Sequence, residues 1–554
     1  MPDPLRPPPS VAVAVAVAVA VAAPAAAQDE VERRDEAAIL FSTRLLFSED
    51  RQPMVPIGLM DRQKVVRFSA PGGIVLHPSG PDGPAVSVAG DGTWVAEVRD
   101  ARRAEVEWVV VLEALPTRDF QALRDARVRW NERTDGEPGT LEIGTVFGFF
   151  GKTLDTRETL LLAPTRHPTR KAAMAAAAAL GATHGTELLV ERVLKTRPGG
   201  TIVLRSGDGA VEVQARDALW FEPREGKLLT VRGVEFGRGF AWHGREDRTY
   251  AGRFTLAVDS AGKLAVVNIL PAEKLLAGLV PAEMYPSAPL EALKAQAVAA
   301  RGELLSKIGR RHLADPFRIC GDQHCQVYKG TTAERSQATR AVQETRGRML
   351  FHGERLADCR YHSNSGGHTE DSEEAWEGVI APELRGIWDL QGSPPALDPS
   401  TEEGAAAFLA TVPGSWAAES GKAGSTLRWV ERLPRGKLDA LAREHGVGQV
   451  TAVLPLHRGR SGRVNLLELR GSDGTARIQG ELVIRKLLGG LKSSLFVVTP
   501  PDRDPRGEWV FSGGGFGHGV GMCQNGAMGL AKHGRTFLQI LQHYYTGVTV
   551  ETIY

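Results

Sequence analysis

The sequence predicts a multi-domain α+β protein: a β-rich N-terminal module, a small α/β module, and a larger mixed α+β domain with a ligand-binding groove. Three observations predict it. A chain of 554 residues exceeds one ordinary core and suffices for roughly three domains. Short apolar or alternating runs, punctuated by Gly, Pro and Asp, fill residues 36–115 and return after Ala210. Between them lie two segments rich in Ala and Arg, with strong helical propensity.

Residues 1–27 carry a basic Arg6, an uncharged apolar run from Val11 to Ala23, and small residues Ala25-Ala26-Ala27 where a signal peptidase cuts. They read as a signal peptide, with a low-complexity Val-Ala tail as the other reading. The expectation is an exported protein, periplasmic or extracellular, at the cell envelope. No later stretch reaches the ~20 apolar residues of a membrane span.

Residues 28–116 form the β-rich module, from FSTRLLF, KVVRFSA, GIVLHP, AVSVAG and VEWVVVLEAL. In 117–208, RDFQALRDARVRWNER and TRKAAMAAAAALGATHGTELLVERVL read as helices, and TLEIGTVFGFFG, ETLLLAP and TIVLRS as strands. That rhythm resembles a SPOR-like domain, a glycan-binding fold; a plain spacer is the other reading.

Residues 209–554 open on strands (AVEVQAR, LLTVRGV, GFAWHG, YAGRFTLAVD, LAVVNIL) and turn helical after Asn268. Leu275, Leu276 and Leu279 share one face of the first helix. Pro289 opens the second, whose Leu290, Leu293, Ala297, Ala300 and Leu304 make one stripe. Residues 388–425, rich in Pro, Ser, Gly and Ala, read as an insertion or surface excursion. Strands resume at VTAVLPLHR, RVNLLELRG and ARIQG, and the chain ends on a Gly-rich loop and the helix TFLQILQHYY.

A net charge of +1 leaves no electropositive field for nucleic acid or anionic lipid. There is no HExxH pair, phosphate loop or GxSxG. The glycines of SGGGFGHGVG miss dinucleotide-loop spacing. What remains is three segments. PAEMYPSAPLEALKAQAVAAR carries Glu283. YHSNSGGHTEDSEEAW carries His362, Ser365 and Thr369. GGGFGHGVGMCQNGAMGLA carries His518 and Gln524. Each sets hydrogen-bonding groups in tightly turning backbone, which lets a bulky polar ligand approach closely.

These segments, with GGLKSSLF and the HYYTG ending, resemble the stage II sporulation protein D family, which includes amidase enhancers. The resemblance runs from about Gln214 to Tyr554, with a looser echo at VPIGLMDRQKVVRFSAPGG. It implies a lytic transglycosylase acting on peptidoglycan glycan strands, preferentially those stripped of peptides, with Glu283 as catalytic acid. It equally admits a non-enzymatic enhancer of a cell-wall amidase, or a glycan-binding envelope protein.

The residue chemistry fits the enzymatic reading. A positioned acid that protonates the leaving oxygen contributes roughly 10²–10⁴-fold. Glu283 must then be protonated near neutrality, through burial against Met284, Tyr285 and nearby leucines. A second carboxylate is dispensable when the sugar's own 6-hydroxyl attacks the anomeric carbon. His362 and His518 either contact the sugar and its developing positive charge or satisfy loop carbonyls. Ser365 and Thr369 bind glycan hydroxyls or order the Gly366-Gly367 turn, and Gln524 does either. Glu370, Asp371, Glu373 and Glu374 read as a solvated face, with a hidden second carboxylate as the alternative.

His312, Cys320, His324 and Cys325 make a two-His, two-Cys set suited to structural Zn²⁺. A Cys320–Cys325 disulfide, or free thiols, is the alternative. Cys359 and Cys523 either form a disulfide across the groove or stay as two buried thiols.

Overall fold

The computed structural model describes residues 37–554, apart from short stretches at 79, 81–82, 91, 150–151, 187, 239–242, 323, 377–379 and 412–413. The signal-peptide reading of 1–27 and most of the GFAWHG run lie outside the described residues.

The architecture is mixed α+β and rich in sheets. Alternating strands need partners on both edges, and those of the N-terminal stretch find them far along the chain. Pro53–Gln63 pairs with Leu264–Pro271, and Ile74–His77 with Ala218–Pro223, in an eight-stranded sheet. Val65–Ser69 and Thr93–Arg102 sit between Leu229–Phe236 and Gly199–Ser206 in a six-stranded one. Both sheets share one core, in which Phe68, Trp94, Phe221 and Phe254 are buried. Residues 53–102 are therefore interleaved with residues 199–271, and the expected boundaries at 116 and 208 do not separate two sheets.

The small module begins one strand earlier than expected. Glu105–Pro116 lies inside its four-stranded antiparallel sheet, between Leu189–Thr196 and Glu158–His167, with Gly139–Ile143 beyond. Helices Phe120–Asn131 and Arg170–His184 complete a split β-α-β pattern. Asp119 and Thr169 cap them, each side chain accepting a backbone N–H.

The remaining chain is built around the helix Leu290–Ser306, preceded by Ala272–Glu283. The single apolar stripe underestimates it, because every residue from Ala295 to Leu305 is buried. Helices Ser336–Glu344, Gln524–Lys532 and Phe537–Tyr544 pack against it. Its buried Arg301 is tolerated because both oxygens of Glu273 accept from it, at 2.8 and 2.7 Å. Truncating Leu293 or Leu304 here costs about 2–5 kcal/mol.

The insertion is larger and better packed than an excursion at 388–425. Phe408 of helix Glu402–Ala410 is buried, and Trp416–Glu419 lies so close to Gln524–Lys532 that a Cβ on Gly529 would sit 1.9 Å from the Trp416 carbonyl oxygen. Beyond it, two three-stranded sheets and the helices Arg435–Ala442 and Glu481–Leu487 enclose a core of their own, with Trp429, Val450, Leu467, Ile484 and Trp509. This unit hangs between the two Gly-rich loops, so the loops are the stalks of an insertion.

Candidate functional site

Glu283 is the last residue of Ala272–Glu283, a helix that carries Pro281 inside it and ends as Met284 turns extended. Its Oε1 accepts a hydrogen bond from the Val327 N–H at 2.6 Å, and its Oε2 has no partner among the described residues. The Gln524 amide holds the backbone, donating to the Glu283 carbonyl at 3.0 Å and to Gln296 Oε1 at 3.3 Å. Tyr361 donates to Gln326 at 3.1 Å, beside Val327. The residue is half-buried, yet loss of water around its carboxyl pushes the pKa up to about 7. The Val327 N–H and the Lys307 ammonium oppose that shift, and Glu303, ion-paired to Lys307, reinforces it. Met284 is buried as expected, but Tyr285 is 47% exposed and contributes no enclosure. The Tyr361 phenol lies close enough to the carboxyl to interact with it electrostatically, and Gln326 and Gln296 bond to Tyr361 and Gln524 beside it. Gln296 had a readable signal, as a polar residue among the apolar positions of LEALKAQAVAAR; Gln326 and Val327 had none.

The strand Tyr361–His362 pairs in parallel with Met522–Cys523, and this short ribbon joins the second and third sequence segments. Successive strand residues point to opposite faces. Tyr361 reaches toward Gln326, and His362 toward the Gly-rich loop, where its ring stands 5.6 Å from that of His518. The ribbon thus joins Glu283 with Gln524 on one side and His362 with His518 on the other.

Ser365 and Thr369 are interior. Ser365 Oγ donates to Asp389 Oδ2 at 2.7 Å and accepts from the Gly367 N–H at 3.1 Å. Thr369 Oγ1 accepts from the Ile387 N–H at 2.8 Å. Ser365 thus orders the Gly-Gly turn through the Gly367 N–H while Asp389 takes its hydroxyl proton, and Thr369 ties this segment to Ile387. Gly366 and Gly367 make the turn with φ of 73° and 109°, and a Cβ on Gly366 would lie 2.9 Å from the Gly515 nitrogen. Glu370 corrects the solvated-face reading: it is 1% exposed and accepts from Ser461 Oγ at 2.5 Å and from the Asp371 N–H at 3.0 Å.

His312, Cys320, His324 and Cys325 converge, with their ligand atoms all within 4.8 Å of one another. Cys325 Sγ lies 3.4 Å from His312 Nε2 and 3.5 Å from His324 Nδ1, and Cys320 Sγ lies 3.7 Å from His324 Nδ1. Asp315 holds His312 Nδ1 at 3.0 Å, leaving Nε2 for a metal. The neighbouring Cys320 thiol, against the effect of burial and with help from both imidazoles, holds Cys325 well below the usual thiol range. His312 adopts φ 56°, an unfavourable backbone for a residue with a Cβ, as the loop turns it inward. Both cysteines are free rather than disulfide-bonded, and the cluster can hold a metal ion. Cys359 and Cys523 are likewise two buried thiols: Cys359 Sγ donates to Ala357 O, and Cys523 Sγ accepts from the N–H groups of Ser365 and Gly526.

The chain is similar to several known proteins. Residues 260–352 match the family described as Stage II sporulation protein, and 370–521 match a Domain of unknown function (DUF8618), the stretch that contains the insertion. Stage II sporulation protein D of Bacillus amyloliquefaciens is 29% identical over 306 residues, 51% of this chain and 75% of that protein. An uncharacterized protein of Brachyspira hyodysenteriae is 27% identical over 60% of this chain and 77% of its own. The amidase enhancer of Bacillus subtilis is 27% identical over 50% of this chain, but only 40% of the enhancer's length is covered.

Proposed function

From the premise that this chain belongs to the stage II sporulation protein D and amidase enhancer family, we propose that it is a peptidoglycan lytic transglycosylase with Glu283 as general acid. One observation carries the reading: a carboxyl with raised proton affinity, pinned through one oxygen by the Val327 N–H, with the other oxygen uncommitted. At neutral pH the acid form protonates the glycosidic oxygen, the bond to the anomeric carbon breaks, and positive charge develops on the sugar. The 6-hydroxyl of the muramic acid closes on that carbon. The carboxylate of Glu283 takes up the proton it sheds, which regenerates the acid and leaves a 1,6-anhydro end. No second carboxylate enters the sequence of steps.

Zn²⁺ is the metal that suits two thiolates and two imidazoles. Four protein ligands would leave no open position, so its contribution would be structural, fixing the segment that runs from Cys320 through Cys325 to Val327. The apolar run at Val11–Ala23 supports action outside the cytoplasm, on the glycan strands of the envelope.

The test is digestion of intact peptidoglycan and of amidase-stripped glycan strands by the full chain, with mass spectrometry for anhydro-muramic ends and Glu283→Gln run alongside. Anhydro products from stripped strands, lost in the variant, are expected. Similarity to an amidase enhancer favours a second reading, in which the chain binds glycan or an amidase without cleaving. No product from either substrate, together with full stimulation of an amidase by Glu283→Gln, would establish it.

A further inference from the structure

The peptide of Val520 assigns the tautomers of two histidines at once. Its carbonyl accepts from His362 Nδ1 at 3.1 Å, so that nitrogen carries the proton and His362 Nε2 is a bare acceptor. Its N–H donates to His518 Nδ1 at 3.1 Å, so His518 carries its proton on Nε2 and presents a donor. His362 is 4% exposed, and among the described residues its Nε2 has no hydrogen-bond partner, which is costly for a buried acceptor. His518 is half-buried, with its ring 4.8 Å from Trp376, which Arg360 clamps from 3.8 Å. Burial, ahead of the nearby cations, holds His362 down to about 3 and His518 well below its ordinary value. Both rings are therefore neutral, as the assignment requires.

We propose that His362 Nε2 and the His518 Nε2–H form a second sugar-binding subsite, on the face of the Tyr361–His362 ribbon opposite Tyr361. A hydroxyl group is the ligand that fits, since it donates to one imidazole while accepting from the other. An anion would meet the lone pair of His362, and a metal ion would meet the N–H of His518. Phe516, two residues before His518 in the same loop, is 38% exposed on backbone bonded in both directions to Asn364, at 3.0 and 2.9 Å. It offers the apolar surface that the C–H face of a sugar ring seeks. The choice of a glycan as ligand rests on the functional reading above. The subsite extends that reading to a strand that contacts both faces of the ribbon, with cleavage on only one.

Calorimetric titration of tetra-N-acetylchitotetraose into the full chain, in the Glu283→Gln background, tests this without turnover. His518→Phe is expected to weaken binding about tenfold, the effect of one lost hydrogen bond and one stranded partner. His518→Gln, which keeps a donor near the Nε2 position, should lose less. Because His362 is buried and its variants can disturb the loop, the wild-type rings are read directly by ¹⁵N-histidine spectra. A protonated Nδ1 on His362 and a protonated Nε2 on His518 are expected, with both Nε2 signals moving on sugar addition. Absence of binding, equal affinity in His518→Phe, or the reverse tautomers would overturn the subsite. If Glu283→Gln cleaves as well as wild type while the sugar still binds at His518, the acid assignment falls and the subsite stands.

Discussion

Glu283 and Glu370 are two glutamates withdrawn from water by the same fold, and burial pushes both up to about 7. Their surroundings diverge. Glu370 is sealed at 1% exposure, with Ser461 Oγ and the Asp371 N–H on its oxygens, and Arg463 and Ser461 oppose the shift without reversing it. A Cβ at Gly459 would touch its carboxylate at 2.5 Å, which leaves no room for a substrate. Glu283 has one oxygen held and one open, in a half-buried position. Raised proton affinity is thus common to a sealed carboxyl and to the one proposed as the acid. The uncommitted oxygen distinguishes them.

The largest effect expected from that difference is on rate. Glu283→Gln should lower glycan cleavage by at least about 10²-fold, because the amide cannot donate a proton to the leaving oxygen. Glu370→Gln keeps the acceptor for Ser461 and fits the same space, so cleavage should stay within about threefold of wild type. Anhydro-end counts for the two purified variants decide the matter. Equal losses in both would mean that the sealed carboxyl takes part, and the comparison would break.

A second difference is what each carboxyl leans on. Glu283 is held by Val327, two residues past Cys325, whereas Glu370 is held by Ser461 at the edge of the inserted unit. Chelation should therefore loosen the first and spare the second. The expected outcome is a fall in thermal midpoint of about 10 °C or more. Two of the four cysteines should become reactive to a thiol reagent, since Cys359 and Cys523 stay buried. A full complement of metal-protected thiols after chelation, or no change in midpoint, would separate the cluster from Glu283.

The same comparison explains what was legible beforehand. Glu283, Gln524 and the four metal-ligand candidates could be singled out because each stands in a short contiguous motif, where residue type and spacing mark it. The fold was readable as α+β because periodicity is local. Its sheets were not, since Met60 pairs with Val266 and nothing in either run names the other. Ser365 reads from sequence as either a glycan contact or a turn-ordering residue, and its bond to Asp389, from what reads as an excursion, has no local signal. Glu370 looked solvated because its neighbours Asp371, Glu373 and Glu374 are acidic; its burial comes from Ser461 and Arg463, 91 or more positions away.

The smallest expected effect is the most direct measure of how closed each pocket is. An unfolded glutamate ionises near 4.5, whereas Glu370 in the native state holds its proton to about 7. Between those values the unfolded chain binds fewer protons than the native one, so stability is complete below about pH 4.5 and falls as pH rises through about 7. For a sealed carboxyl the loss is on the order of 3 kcal/mol. Glu370→Gln cannot ionise and should lack this decline, so its thermal midpoint at pH 8 relative to pH 5 should drop a few degrees less than that of wild type. Glu283→Gln should correct less of the decline, because water reaches part of the native carboxylate and moderates its cost. A wild-type slope in Glu370→Gln would mean that Arg463 keeps Glu370 ionised, and the two carboxyls would then differ in charge as well as in access.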